Sequence, residues 1–142
     1  MTIKDITGEL EGIASTDDFP TSSGELTDAW SASDVGIESV EPILRFMEEH
    51  PALDYGMPGP LVHFVEEFYL RGYEERLIES VSRKPTPLTV WMLNRVINGT
   101  QESATKAALV ATMRQAANHP NADQQTLERV KGFLERLCHF PK

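Results

Sequence analysis

The sequence predicts an all-α protein of about seven short helices. Apolar residues recur at intervals of three and four along most of the 142 residues, which is the spacing of one helix face. No segment alternates apolar and polar residues over several positions, and β-branched residues are scattered. Turns rich in Gly, Pro, Ser and Asn separate the stripes. We expect a single helical domain over residues 1–142, for which a HEAT-like stack of antiparallel helix pairs is a fitting architecture.

Three helices are predicted in the first third of the chain. The first ends at the polar run Ser15 to Gly24, whose composition is typical of turns. The second is short and runs from about Gly24 to Ser33, with Trp30 directed inward. The third ends before Pro51, which does not continue a helix. Their apolar stripes are Ile3, Ile6, Leu10 and Ile13; Leu26, Ala29 and Trp30; and Ile37, Val40, Leu44 and Met47.

A loop follows with the sequence HPALDYGMPGP, residues His50 to Pro60. Its three prolines and two glycines predict a stiff, shaped connection. The loop carries Tyr55 and Met57 beside the acidic Asp54. An aromatic and a methionine exposed on an ordered loop suit a protein interface. The alternative is that Tyr55 and Met57 pack beneath the loop as a local core.

Further helical stripes occupy the rest of the chain, and one of them is apolar on most of its circumference. This is PTPLTVWMLNRVIN, Pro85 to Asn98, which must be enclosed by other elements. Thr86 can cap it, Pro87 suits its first turn, and Gly99 is placed to end it in a left-handed conformation. The other stripes are Leu61, Phe64, Val65 and Phe68; Tyr73, Leu77, Ile78 and Val81; Glu102 to Asn118; and a last helix that Asp123 can cap, with Leu127, Val130, Phe133, Leu134 and Leu137.

The net charge of −9 is unevenly distributed. Residues 1–54 contain two basic and thirteen acidic residues, a balance of −11, whereas residues 55–142 contain eleven basic and nine acidic residues, a balance of +2. The acidity disfavours nucleic acid or an anionic membrane as the direct ligand. It favours a basic protein partner for the first third. The alternative is a solvated surface that keeps the protein soluble.

The sequence favours a cytoplasmic protein. The first residues, MTIKDITGEL, lack a basic stretch followed by an apolar run, so we expect no secretory signal. No apolar segment is long enough to span a membrane. The single cysteine, Cys138, has no second cysteine for an internal disulfide.

No set of residues predicts an enzyme, a metal centre or a cofactor. His63 with Glu66 and Glu67 places an imidazole and a carboxylate three positions apart on one helix face, which is a metal-binding spacing, but a second such motif is missing. Cys138 and His139 are adjacent, so on a helix they point in different directions and do not form a nucleophile–base pair. The paired acids of the first third lie beside turns and helix ends, where they remain solvated. We therefore expect no catalysis and no cofactor.

Two segments of the chain resemble a known family. They are DYGMPGPLVHFVEEFY, Asp54 to Tyr69, and PTPLTVWMLNRVING, Pro85 to Gly99. These segments resemble the small cytosolic immunity proteins of bacterial polymorphic-toxin and contact-dependent-inhibition systems, and the resemblance covers about Glu38 to Gly99. It implies a protein without chemistry of its own that binds and neutralises a cognate toxin domain, often a nuclease. The toxin-binding residues of such proteins vary widely, so none is transferred by motif.

Composition and resemblance agree in one hypothesis. A nuclease is basic where it holds the phosphate backbone, and an acidic partner can occupy that groove. A helical adaptor or regulatory subunit that binds a cellular protein is the alternative. The expected partner-binding residues are the acids of the first third, with Trp30 or Tyr55 as an apolar anchor: Asp17, Asp18, Asp28, Asp34, Glu38, Glu41, Glu48, Glu49 and Asp54.

Overall fold

The fold, taken from a computed structural model, is entirely helical in its described part, residues 3–56 and 58–139. Within these ranges there is no strand, and eight α-helices are present, close to the expected seven. The all-α prediction is confirmed. The helices are α1 (Ile3–Ile13), α2 (Phe19–Ala32), α3 (Val40–Glu49), α4 (Pro60–Glu66), α5 (Tyr73–Arg83), α6 (Pro87–Gly99), α7 (Ser103–Ala116) and α8 (Gln124–His139).

The chain groups into two compact units. Unit 1 spans Met1–Arg76 and unit 2 spans Leu77–Lys142, so the division falls within α5. The expectations of one domain over residues 1–142 and of a HEAT-like stack stay predictions.

Unit 1 is organised by contacts of α1 with α3, of α2 with α4 and of α1 with α2. Its aromatic side chains form two groups. In one, the Phe19 and Phe46 rings stack with centroids 5.8 Å apart, and the Tyr55 ring meets Phe19 edge-on at 5.5 Å. In the other, Trp30 meets Phe64 edge-on at 5.5 Å. The first group joins α2, α3 and the loop that precedes α4, and the second joins α2 and α4, so α2 contributes a ring to both.

The start of α2 differs from the sequence prediction. The helix begins at Phe19 instead of near Gly24. The Asp18 carboxylate caps it by accepting bonds from the Thr21 N–H at 3.3 Å and the Thr21 hydroxyl at 2.7 Å. Pro20 lies in the first turn, where its missing N–H costs no helical bond. The buried ring of Phe19 fixes this first helical turn in the core, although its polar sequence predicts a loop.

The loop before α4 is shaped by glycine. Gly59 has φ +92° and ψ 169°, a conformation that is essentially restricted to glycine, and a Cβ atom there would overlap the carbonyl oxygen of Tyr55. Pro60 follows in the first turn of α4. The Tyr55 hydroxyl donates to the His50 carbonyl at 2.9 Å, which ties the middle of the loop to its start. The described part of the loop is therefore shaped by glycine, proline and tyrosine, and its stiffness stays a prediction.

Unit 2 is built on α6, which contacts both α7 and α8. The predicted cap is confirmed: Thr86 Oγ1 accepts from the Thr89 N–H at 3.1 Å, and Thr89 Oγ1 accepts from the Thr86 N–H at 3.1 Å. The predicted left-handed end is wrong. Gly99 stays helical, and Thr100 ends the helix with its hydroxyl donating to the Val96 carbonyl at 2.7 Å. The core side chains of this helix are Val90, Met92, Leu93, Val96 and Ile97.

The N-termini of α7 and α8 are capped by carboxylates. Glu102 accepts from the N–H groups of Ala104 and Thr105, at 2.8 and 2.9 Å. Asp123 accepts from the N–H and the hydroxyl of Thr126, at 2.8 and 2.7 Å, as the sequence predicted. Bonds from the threonine hydroxyls are the main cause that lowers the pKa of both carboxyl groups.

Candidate functional site

The two units carry opposite net charges. Unit 1 contains four basic and seventeen acidic residues, a balance of −13, and unit 2 contains nine basic and five acidic residues, a balance of +4. These balances sum to the −9 of the whole chain. A basic partner is therefore attracted to unit 1 far more strongly than to unit 2.

The structure leaves most of the predicted acids on the surface of unit 1. Glu41 is half-buried. Glu48 is only 7% exposed on α3, so its carboxylate is not on the surface where the sequence analysis expects a partner contact. The exposed acids are Asp17, Asp18, Asp28, Asp34, Glu38, Glu49 and Asp54.

Four of the exposed acids also shape the local backbone. Asp18 caps α2. Asp34 adopts φ +56° just after α2, a left-handed position that ends a helix and that Asp tolerates better than most residues. The carboxylate of Glu38 accepts from the Gly36 N–H at 3.2 Å, and that of Asp54 accepts from the Gly56 N–H at 3.0 Å. Substitution of these four would change the fold as well as the charge.

The other three acids have no such role. The carboxylates of Asp17, Asp28 and Glu49 are exposed and make no hydrogen bond or ion pair within residues 3–56 and 58–139. We call these three the free acids. They test surface charge with the least disturbance of the helices.

Trp30 is a core residue, so its ring is not exposed for the partner contact predicted from the sequence. Its exposed fraction is 0%. The indole N–H lies 3.5 Å from the Glu9 carboxylate of α1, and the ring packs against Phe64 of α4. The inward orientation predicted from the helical stripe is confirmed, and that orientation removes the ring from the surface.

Tyr55 follows the local-core alternative. It is 6% exposed, its ring packs edge-on against the rings of Phe19 and Phe46, and burial raises the pKa of its phenol far above the usual value. Its prediction as a surface anchor is therefore wrong. Met57, the second side chain of that prediction, lies outside the described residues, as do the side chains of Cys138 and His139.

A cleft of about 300 Å³ opens between α2 and α4 in unit 1. The free acid Asp28 lies on its α2 wall and Glu67 at the end of its α4 wall. The wall of α2 is made of small residues, and Pro60 lies next to Gly24, 3.5 Å from where a Cβ would stand. The lining residues are Gly24, Thr27, Asp28, Ser31, Pro60, His63, Phe64 and Glu67.

The turn between α4 and α5 presents an exposed leucine. Leu70 is 75% exposed and is the one large hydrophobic side chain classed as exposed in the described part of the chain. Its φ of +65° is unfavourable for leucine by about 1–2 kcal/mol. The carboxylate of Glu74, itself buried, accepts the Leu70 N–H at 2.9 Å and holds this conformation. Strain of this kind at an exposed apolar residue is typical of functional positions.

The described part of the chain contains neither a cluster of metal ligands nor a helix that could span a membrane. His63 and Glu66 lie 3.9 Å apart on α4, but no group of three or more potential ligands occurs among residues 3–56 and 58–139. In the same ranges, no helix combines the length and apolarity that a bilayer crossing requires.

Sequence reasoning missed His63 and Glu67 as cleft residues and Leu70 as an exposed side chain. Gly24, Thr27 and Ser31 recur at helical spacing on α2. This spacing indicates one helix face of small residues, but only if the helix is predicted to start at Phe19. No pattern in the sequence indicates that Leu70 would be exposed.

No known protein family matches this chain, and no similar protein was found among curated proteins or solved structures.

Proposed function

We propose that this protein is an immunity protein that binds a cognate toxin domain, for which a basic nuclease is the best-matched class, and neutralises it through the acidic surface of unit 1. The observation that carries this proposal is the charge division, −13 in unit 1 against +4 in unit 2. The resemblance of Asp54–Tyr69 and Pro85–Gly99 to immunity proteins adds to it.

Physical chemistry explains how such a surface would inhibit a nuclease. The toxin groove must be basic to hold the phosphate backbone of its substrate. Exposed carboxylates compete for that groove, and their long-range field raises the rate of encounter. Inhibition then requires no chemistry from this chain.

The interface needs apolar contacts as well as charge, because charged groups govern encounter more than the lifetime of a complex. Trp30 and Tyr55 are buried and do not provide these contacts. Leu70 is exposed, belongs to the acidic unit and is held in place by Glu74. It takes the role of apolar anchor in this proposal.

Reversal of the free acids tests the electrostatic part of the proposal. The triple variant Asp17→Lys, Asp28→Lys and Glu49→Lys is expected to slow association with the toxin domain by about tenfold or more, because steering is lost. The association rate should also become less sensitive to salt. Stopped-flow or surface-binding kinetics at several salt concentrations measure both effects.

The matched control is the triple reversal Glu79→Lys, Glu128→Lys and Glu135→Lys, three exposed acids of unit 2. It changes the net charge of the chain by the same amount. If both triple variants slowed association to a similar extent, the effect would depend on net charge alone. That result would contradict an interface on unit 1. Unchanged association by the unit 1 variant would contradict it equally.

A helical adaptor for a cellular protein is the second candidate. The same acidic surface would serve it, since any basic partner is attracted by that charge. The identity of the captured partner separates the two, because an adaptor binds a housekeeping protein.

A further inference from the structure

We infer that the cleft between α2 and α4 receives an arginine side chain of the partner. This inference rests on the proposed function for the partner's identity, but the cleft and its lining stand independently of it. Among the partner-binding residues predicted from the sequence, only Asp28 lines this cleft.

The lining combines two kinds of surface. Pro60 and Phe64 are apolar, whereas Asp28 and Glu67 carry charge. Phe64 is 3% exposed, so it supports the wall from within the core, and the partly exposed ring of Pro60 supplies the apolar surface that a ligand can contact. A ligand that fits must therefore have an apolar stem and a cationic head, which describes a long basic side chain.

The carboxylates are available for such a ligand. Asp28 and Glu67 are exposed, and neither carboxylate makes a hydrogen bond or ion pair within residues 3–56 and 58–139. They approach the cleft from different helices. A planar guanidinium has five N–H donors arranged as a fork, so it can pair with one carboxylate and still donate to other acceptors nearby. An ammonium group offers only three donors from one point.

Other ligand classes fit less well. Two uncompensated carboxylates oppose a phosphate or another anion. A fully apolar ligand would have to desolvate them, which is costly. The described residues hold no group of three ligands for a metal ion. The cleft is small for an independent ligand but adequate for one side chain of a protein partner.

A titration on the free protein tests the cleft without any toxin. N-acetyl-L-arginine amide is added to isotopically labelled protein, and amide chemical shifts are followed by NMR. Saturable shifts are expected at Gly24, Ser31 and His63, and the uncharged isostere N-acetyl-L-citrulline amide should produce much weaker shifts. The double variant Asp28→Asn and Glu67→Gln should weaken binding about tenfold, the loss expected for a charge-assisted hydrogen bond.

The matched control is the double variant Glu25→Gln and Glu75→Gln, which removes two exposed carboxylates of unit 1 that do not line the cleft. It should bind the arginine amide as the wild type does. Equal shifts with the citrulline amide, shifts spread over all exposed acids, or unchanged binding by the cleft variant would overturn the inference.

The two proposals fail in different experiments. If the NMR titration shows no saturable shifts, the arginine site in the cleft is contradicted. Toxin binding is then tested separately by the association kinetics. A positive titration with no toxin captured would leave an arginine site on a protein whose partner is not a toxin. With a captured toxin, the cleft variant should bind about tenfold more weakly than the Glu25/Glu75 control, and equal affinity would contradict use of the cleft by that partner.

Discussion

Replacement of Trp30 by alanine is expected to lower the free energy of unfolding by about 3–5 kcal/mol. The side chain is fully buried, packs against Phe64, and places its N–H 3.5 Å from the Glu9 carboxylate. Removal of the indole leaves a cavity where α1, α2 and α4 meet and removes a donor from a partly buried carboxylate. Urea unfolding followed by far-UV circular dichroism measures the loss.

The control for this prediction is Trp91→Ala, at the only other tryptophan of the chain. Trp91 is half-buried on α6, with the Arg95 guanidinium 5.6 Å from its ring centre. Its loss should cost about 1–2 kcal/mol, because less apolar surface returns to water. If Trp30→Ala were as stable as the wild type but bound the partner poorly, Trp30 would be a surface anchor and the assignment to the core would be wrong.

Replacement of Gly59 by alanine is expected to destabilise the protein by about 3 kcal/mol. The new Cβ would overlap the carbonyl oxygen of Tyr55, and φ of +92° with ψ of 169° is strained for alanine. Relief of the overlap must move the Tyr55 backbone and hence a ring that packs on Phe19 and Phe46. The same unfolding measurement gives the change in free energy.

Gly8→Ala provides the comparison for Gly59→Ala. Gly8 lies within α1, and a Cβ there meets no atom within 4 Å. Alanine at this position should stabilise the helix by about 0.5–1 kcal/mol, because glycine loses more backbone entropy on folding. Similar effects of the two substitutions would contradict the special conformation assigned to Gly59.

The sequence correctly predicts helix caps that depend on residues close together in the chain. Thr86 followed by Pro87 specifies the start of α6, and Asp123 followed by Thr126 specifies the cap of α8. Both depend on bonds within one turn, so the sequence alone contains them. The all-α class follows in the same way from apolar periodicity.

Features that depend on residues distant in sequence were missed or wrong. The start of α2 at Phe19 is favoured by a ring that stacks on Phe46 of α3. The loop sequence fits an exposed Tyr55 as well as a buried one, and contacts with Phe19 and Phe46 decide for burial. The cleft exists only because α2 packs on α4. Tertiary packing therefore buries Trp30 and Tyr55, the two predicted anchors, and leaves Glu67 and Leu70 exposed on unit 1.

The most direct test of the central claim is a pull-down from the source cells with this protein as bait, at low and at high salt. The account predicts capture of a toxin domain encoded by a neighbouring gene at low salt, with clear weakening at high salt because exposed charges are screened. Capture that survives high salt would shift the binding energy from the free acids to apolar contacts such as Leu70. A housekeeping protein as the captured partner, or no partner at all, would contradict the immunity function.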